Sequence, residues 1–221
     1  MNVFIKAGLL TVIVLAIGIQ IGLWIESNKI AEIKSSLETT DLLFNDARMQ
    51  SIYYQMFSVP NDTVFCNAAL AANLKYNDMI YQRGLEIERY EASGKFTPQT
   101  LLDRKKYALL QFQFWMNAMQ IKKKCGFNYH VVLHLWKYSS EDYNTNLDQK
   151  LQSAVLLELK EKCGPKLMLS NAPIDLNLTT IEMLADNYNI SNTPAIVIDD
   201  DTILQGFQDL GRLSYYINCT A

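Results

Sequence analysis

The chain has 221 residues, 20 Lys and Arg against 23 Asp and Glu for a net charge of −3, and is 49% hydrophobic. That length suits one domain or two small ones, and the apolar content excludes a disordered chain. Charges of both signs, with no basic stripe, argue against a nucleic-acid partner; Lys122-Lys123-Lys124 reads as cations at a helix C-terminus.

The first element in chain order is an apolar block over residues 7–25, AGLLTVIVLAIGIQIGLWI, with no charge. It is long enough to cross a bilayer core and longer than the usual apolar stretch of a signal peptide. No small-x-small cleavage pattern follows it in Trp24-Ile25-Glu26-Ser27-Asn28. The expectation is an uncleaved signal anchor over 1–25 that meets the lipid bilayer through residues 7–25. Trp24 stands where an interfacial aromatic belongs. Lys6 and the amino terminus precede the span, which favours a cytoplasmic N-terminus and an extracytoplasmic body, a single-pass membrane protein. Four cysteines, an even number, fit an oxidising compartment. Four Asn-x-Ser/Thr acceptors, at Asn61, Asn177, Asn189 and Asn218, are glycosylation candidates and mild support for that side.

Residues 26–126 read as a membrane-proximal helical region. Ile30, Ile33, Leu37, Thr40, Phe44 and Ala47 form a stripe at 3–4 spacing, one that self-association could also use. Pro60-Asn61-Asp62 breaks the pattern. A helix over Thr63–Ala92 is expected to stop at Gly94, and another to start at Thr97-Pro98 and stop at Lys124-Cys125-Gly126. Short links make these antiparallel neighbours.

From Tyr129 the period turns strand-like. Residues 129–136 read as a strand, Lys137 to Asp148 as a polar loop, Gln149 to Cys163 as a helix, and Lys166 to Ser170 as a second strand. Thr179 with Glu182 three residues on is a capping box opening the next helix. Thr193-Pro194 before an apolar β-branched run reads as a cis-proline loop feeding the strand Ala195–Ile198. Asp199-Asp200-Asp201 is a turn, Thr202 to Phe207 its hairpin partner, and Leu210 to Ile217 a last helix. The order is β-α-β-α-β-β-α, with the first two strands parallel by the crossover rule.

These pieces carry a resemblance. Residues from about Tyr129 to Thr220 resemble thioredoxin-like domains. The whole chain, with Leu85-Glu86-Ile87-Glu88-Arg89-Tyr90-Glu91, Lys124-Cys125-Gly126, Thr193-Pro194 and Gly206-Phe207, is similar to membrane-anchored thioredoxin-like proteins of archaeal type. The fold class that follows is α/β: a transmembrane helix, a helical hairpin region, then a thioredoxin-like domain over 127–221. The resemblance implies a Cys-x-x-Cys pair at the start of the helix after the first strand, where a helix N-terminus lowers a thiol pKa. This chain has Tyr143 and Asn146 near those two positions, and neither exchanges a disulfide.

Topology suggests what the cysteines do instead. Cys66 begins one antiparallel helix and Cys125 ends the other. Cys163 and Cys219 end the first and last helices of the thioredoxin-like unit, which that fold packs in parallel. Bridges Cys66–Cys125 and Cys163–Cys219 follow, but four cysteines allow three connectivities, and a Cys125–Cys163 link or free thiols stay open. An unconventional redox pair is the competing reading.

His130 and His134 share a strand face, but no carboxylate or thiol stands at ligand spacing, so they read as hydrogen-bonded strand histidines and no metal or cofactor is expected. Glu141, Asp142 and Asp148 read as a solvated loop. In the resembling family the residue before the cis-proline offers backbone groups to an extended peptide. Thr193 keeps that ability, and Trp136, Tyr138 and Tyr143 supply aromatic contacts. The expectation is a redox-inactive, membrane-tethered protein without catalytic residues that binds or scaffolds an unidentified extracytoplasmic polypeptide. The alternative is a thiol-disulfide oxidoreductase or isomerase using a non-standard cysteine pair.

Overall fold

A computed structural model describes residues 3–57, 62–92 and 98–219. The expected breaks at Pro60-Asn61, the stop at Gly94 and the cap at Thr97 lie outside them. Helix α1 (Val3–Phe57) is continuous. Its segment Lys6–Ile25 has a mean hydropathy of 2.3 and is unburied. It is long and apolar enough to cross a membrane, a test that a signal sequence also passes.

The chain forms two compact units, Met1–Thr39 and Thr40–Ala221. The expected divisions after residues 25 and 126 are not where these units part. The reason is packing: α2 (Thr63–Ala92) and α3 (Pro98–Cys125) share a core with the sheet, so the helices and the carboxy-terminal part make one body. Within that body, the 40–57 portion of α1 buries Thr40, Leu43, Ala47, Ser51 and Tyr54. These recur every three or four residues, one helical face. Thr40 and Ala47 are fully buried and Phe44 is half-buried, so this part of the expected stripe packs within the body.

Four strands form a mixed sheet in the order β2-β1-β3-β4. Strand β1 (His130–Trp136) pairs in parallel with β2 (Leu167–Pro173) and antiparallel with β3 (Ala195–Ile198), which pairs antiparallel with β4 (Thr202–Gln205). Helix α4 (Tyr143–Cys163) and a 3₁₀ turn (Gly164–Lys166) link β1 to β2; α5 (Thr179–Asn187) links β2 to β3; α6 (Leu210–Tyr216) follows β4.

Side-chain alternation divides the core in two. Val131, Leu133, Leu135, Met168, Ala172, Ala195 and Val197 face α3 and α5, meeting Leu110, Phe114, Ala118 and Ile181. Val132, Leu167, Ile196 and Ile198 face α4 and α6, meeting Leu156, Leu159 and Leu213. Each fully buried Leu or Ile contributes about 2 kcal/mol. A central strand covered on both sides explains why β1 reads as an apolar run rather than an alternation.

Local chemistry sets the element ends. Helix α4 starts at Tyr143, six residues before the expected Gln149, because the Asp142 carboxylate caps the Thr145 N–H at 2.7 Å. The expected polar loop is correspondingly shorter, and Asp148 lies in the helix. Strand β2 extends to Pro173, three residues past the expected end. The capping box at Thr179 does not form. Leu178 is the N-cap and makes no side-chain cap bond; its carbonyl accepts the N–H groups of Ile181 and Glu182 at 2.9 and 3.0 Å. Asp199 and Asp200 take φ of 55° and 70° as the central residues of a mirror-image turn closed by the Asp201 N–H on the Ile198 carbonyl at 3.2 Å, and Asp201 completes the link to β4.

Candidate functional site

The end of the sheet where β1 stops and α4 begins gathers most of the candidate residues. Trp136 is the last residue of β1, half-buried, and its carbonyl accepts the Ile174 N–H at 2.8 Å. The β1–β3 ladder ends at the Leu135–Ala195 pair, β1 then running on into Trp136 and β3 following Pro194 in sequence. Tyr138 meets the Trp136 ring edge-on at 6.2 Å between centroids.

Side chains hold the β1–α4 loop in place. Asp175 accepts the N–H groups of Tyr138 and Ser139 at 2.7 and 2.8 Å. Gln149 bonds both backbone groups of Lys137, accepting at 2.6 Å and donating at 3.2 Å. Asn146 donates to the Ser140 carbonyl at 2.8 Å. Of the two residues expected near the missing cysteine positions, Asn146 is thus spent on the loop, whereas Tyr143 is 76% exposed in the first turn of α4.

Two further residues, neither of them assigned to a site from sequence, complete this region. Glu91, from the end of α2, accepts the Tyr138 hydroxyl at 3.1 Å. Arg104, from the start of α3, donates through Nε to Glu91 at 2.9 Å and lies 5.7 Å from the Tyr138 ring centroid. Burial, then the Glu91 carboxylate, pushes the Tyr138 phenol up, against the opposing Arg104 charge. Tyr138 therefore stays a neutral donor. Nothing local in the sequence couples Glu91 and Arg104 to a tyrosine more than thirty residues on.

The Thr193–Pro194 bond is cis. Both residues are buried, Thr193 to 5% exposure. The Pro194 carbonyl accepts the Gly206 N–H at 2.8 Å, and Gly206 reaches that position with a φ of 76° that favours glycine. The Gln205 carboxamide oxygen accepts the N–H groups of Ser191 and Asn192 at 3.0 and 2.9 Å. The structure therefore leaves Thr193 and Pro194 without the open face that Tyr143 has.

The cysteines pair as Cys66–Cys125 and Cys163–Cys219, and none is free. The first joins the start of α2 to the end of α3, and the second the end of α4 to the segment after α6. Both lie away from the end where β1 stops and α4 starts; the 21-residue α4 alone runs from Tyr143 to Cys163, about 30 Å of helix. That end therefore offers phenols, an indole, amides and hydroxyls, which suit recognition, and no thiol.

The histidines differ in setting. His130 Nδ1 lies 2.7 Å from Asp199 Oδ2. Burial raises the Asp199 pKa, but His130, Lys122 and the Val131 N–H outweigh it and hold the carboxyl down to about 2. His134 is 1% exposed, with Nδ1 3.1 Å from Asn171 Oδ1, and burial lowers its pKa to about 4. Among the sequon asparagines, Asn177, Asn189 and Asn218 are exposed and Asn61 lies outside the described residues.

No protein-family model matches the chain, and no curated protein does. Several solved structures overlap part of it, two of them as follows. One, described as the structure of a malarial protein, shares 21% identity at a TM-score of 0.31, over 40% of this chain and 92% of that one. The other is chloroplastic thioredoxin z, with 14% identity and a TM-score of 0.33 over 41% of this chain and 77% of that one. The similarity to a thioredoxin is thus weak and partial.

Proposed function

We propose that this chain is a membrane-tethered, redox-inactive protein of the archaeal-type thioredoxin-like kind, which binds or scaffolds an extracytoplasmic polypeptide. The N-terminal helix stays uncleaved as the anchor, with its N-terminus cytoplasmic. The polypeptide meets the β1–α4 end, with Tyr143 as the exposed contact and Trp136 and Tyr138 behind it. Thr193 and Pro194 join the contact only if the loop around them opens.

One observation carries this reading. All four cysteines are consumed in two bridges remote from the start of α4. A dithiol mechanism needs a nucleophilic thiolate at an accessible helix start, and Tyr143 and Asn146 stand there instead.

The test is a photocrosslinking amino acid at position 143 in the full-length protein in native membranes, with position 215 as control. Tyr215 is 83% exposed on α6. The expected result is one stoichiometric polypeptide captured from 143 and not from 215; capture of a second copy from 143 would make the partner the chain itself. Insulin reduction by the purified protein, abolished by replacing any one cysteine, would instead establish an oxidoreductase.

A further inference from the structure

Helix α4 carries an apolar stripe on its outer face. It buries Gln149, Gln152, Leu156, Leu159 and Cys163 on one side. On the opposite side Leu147, Leu151 and Leu157 are 43%, 45% and 48% exposed, and Ala154 between them is exposed as well. Their three- and four-residue spacing puts them on one helical face. A soluble helix normally turns charged residues outward there, so three exposed leucines in a row point to a partner.

The charges on this face are placed symmetrically. Lys150 lies four residues before Ala154 and Glu158 four residues after it, so each stands about 6 Å along the helix from the alanine. Both are exposed, and neither makes an ion pair among the described residues. A copy of the helix laid antiparallel across this face, with Ala154 on Ala154, sets Lys150 opposite the partner's Glu158 and Glu158 opposite the partner's Lys150. The same register sets Leu151 opposite the partner's Leu157. A parallel copy would oppose lysine to lysine and glutamate to glutamate. Alanine at the crossing lets the two axes approach to about 8 Å.

We infer that two copies of this chain pair through α4, antiparallel about a two-fold axis at Ala154. The occupant of the stripe is a second copy because one surface supplies both halves of each contact, as an isologous interface requires. The facing stretch from Leu147 to Glu161 is about 20 Å long, which is small for a protein interface, so the association is weak and reversible. Tyr143 falls beyond it, opposite position 165 and past the end of the partner's α4, which stops at Cys163.

All four cysteines are in bridges, so Ala154→Cys introduces the chain's one thiol, at an exposed position. Full-length protein in native membranes is oxidised mildly and the disulfide-linked dimer is followed with time. Met183→Cys is the control for random collision, being 66% exposed on α5 across the sheet. The expected result is a dimer that forms at least tenfold faster from position 154 than from 183. Lys150→Glu or Glu158→Lys, each added to Ala154→Cys, should slow it at least fivefold, since each reversal spoils both symmetric pairs. The two reversals together should restore the parent rate to within twofold. Equal rates at 154 and 183, single reversals without effect, or a double reversal that stays slow would overturn the pairing. Photocapture at position 143 is scored separately. A polypeptide captured there without a thiol dimer at 154 overturns only this pairing, and a dimer without the polypeptide overturns only the proposed contact.

Discussion

The Gln111 side chain accepts the backbone N–H of Asn171 at 3.0 Å, so an α3 glutamine occupies a hydrogen-bonding position on the outer edge of β2. Two further devices blunt that edge. Lys160 Nζ donates to the Leu167 carbonyl at 2.5 Å, and Pro173 has no N–H to offer. Gln111→Ala should cost about 1–3 kcal/mol, since it strands both the Asn171 N–H and its neighbour Tyr107. Denaturant unfolding of the solubilised full chain measures it.

A buried ion pair ties three helices together. Arg83 donates to Thr40 Oγ1 at 2.7 Å and to both Asp103 oxygens at 2.9 and 2.7 Å, with Arg83 4% and Asp103 7% exposed. Asp103→Ala should destabilise by about 1–3 kcal/mol because the buried guanidinium loses the bidentate carboxylate and keeps Glu86 at 2.7 Å, whereas Arg83→Met with Asp103→Leu should recover most of the loss. The same unfolding measurement on both variants decides it.

The acid response should come in two stages. His134 has a folded pKa lowered by burial to about 4 against an ordinary 6.5. Between those values the unfolded chain binds a proton that the folded one refuses, so stability falls as pH drops from 6.5 to 4, by about 3 kcal/mol in all. Asp199 acts lower. Its contribution is complete above about pH 4 and is lost as pH falls through about 2. In stability measured against pH, His134→Leu should flatten the first stage and leave the second.

Glycine at position 84 is required by a neighbour. A Cβ there would land on the Tyr107 hydroxyl, which is buried and engaged on both sides. Gly84→Ala should cost about 1–3 kcal/mol by overpacking, despite its better helix propensity. A lowered unfolding temperature is the readout; an unchanged one would mean that the ring moves aside freely.

Tyr143→Ala offers the converse case. The residue is 76% exposed, so its removal should change stability by less than about 0.5 kcal/mol. Co-purification of the crosslinked polypeptide should fall severalfold.

Elements with strong local signals were legible in the chain itself. The apolar span, the runs of β1 and β3, the Asp hairpin and the cysteines at helix ends all carry their meaning within a few residues. The start of α4 was not, because Tyr143-Asn144-Thr145-Asn146 has weak helix propensity and the deciding Asp142 cap looks like one more loop acid. At Thr179 the error ran the other way, since a good capping pattern lost to a start one residue earlier. The hydrogen-bond chain from Ile80 through Tyr107, Gln111 and Asn171 to His134 was illegible for another reason: its five members come from four elements, and only tertiary packing makes them neighbours. The loop before Pro194 is likewise held by Gln205 and Gly206, which follow it in the chain by more than ten residues.

The two bridges also decide how the molecule survives a broken backbone. A single cut anywhere between Cys66 and Cys125, or between Cys163 and Cys219, leaves the pieces covalently joined. From Cys66 to Cys219, only residues 126–162 lie outside both rings, and there β1 is buried within the sheet and α4 is held in helical hydrogen bonds. The connectors left are 126–129 and the loop 137–142, so a protease would part the body in one stroke chiefly at the loop of the proposed contact. Occupancy of that contact would then guard the weakest point of the chain.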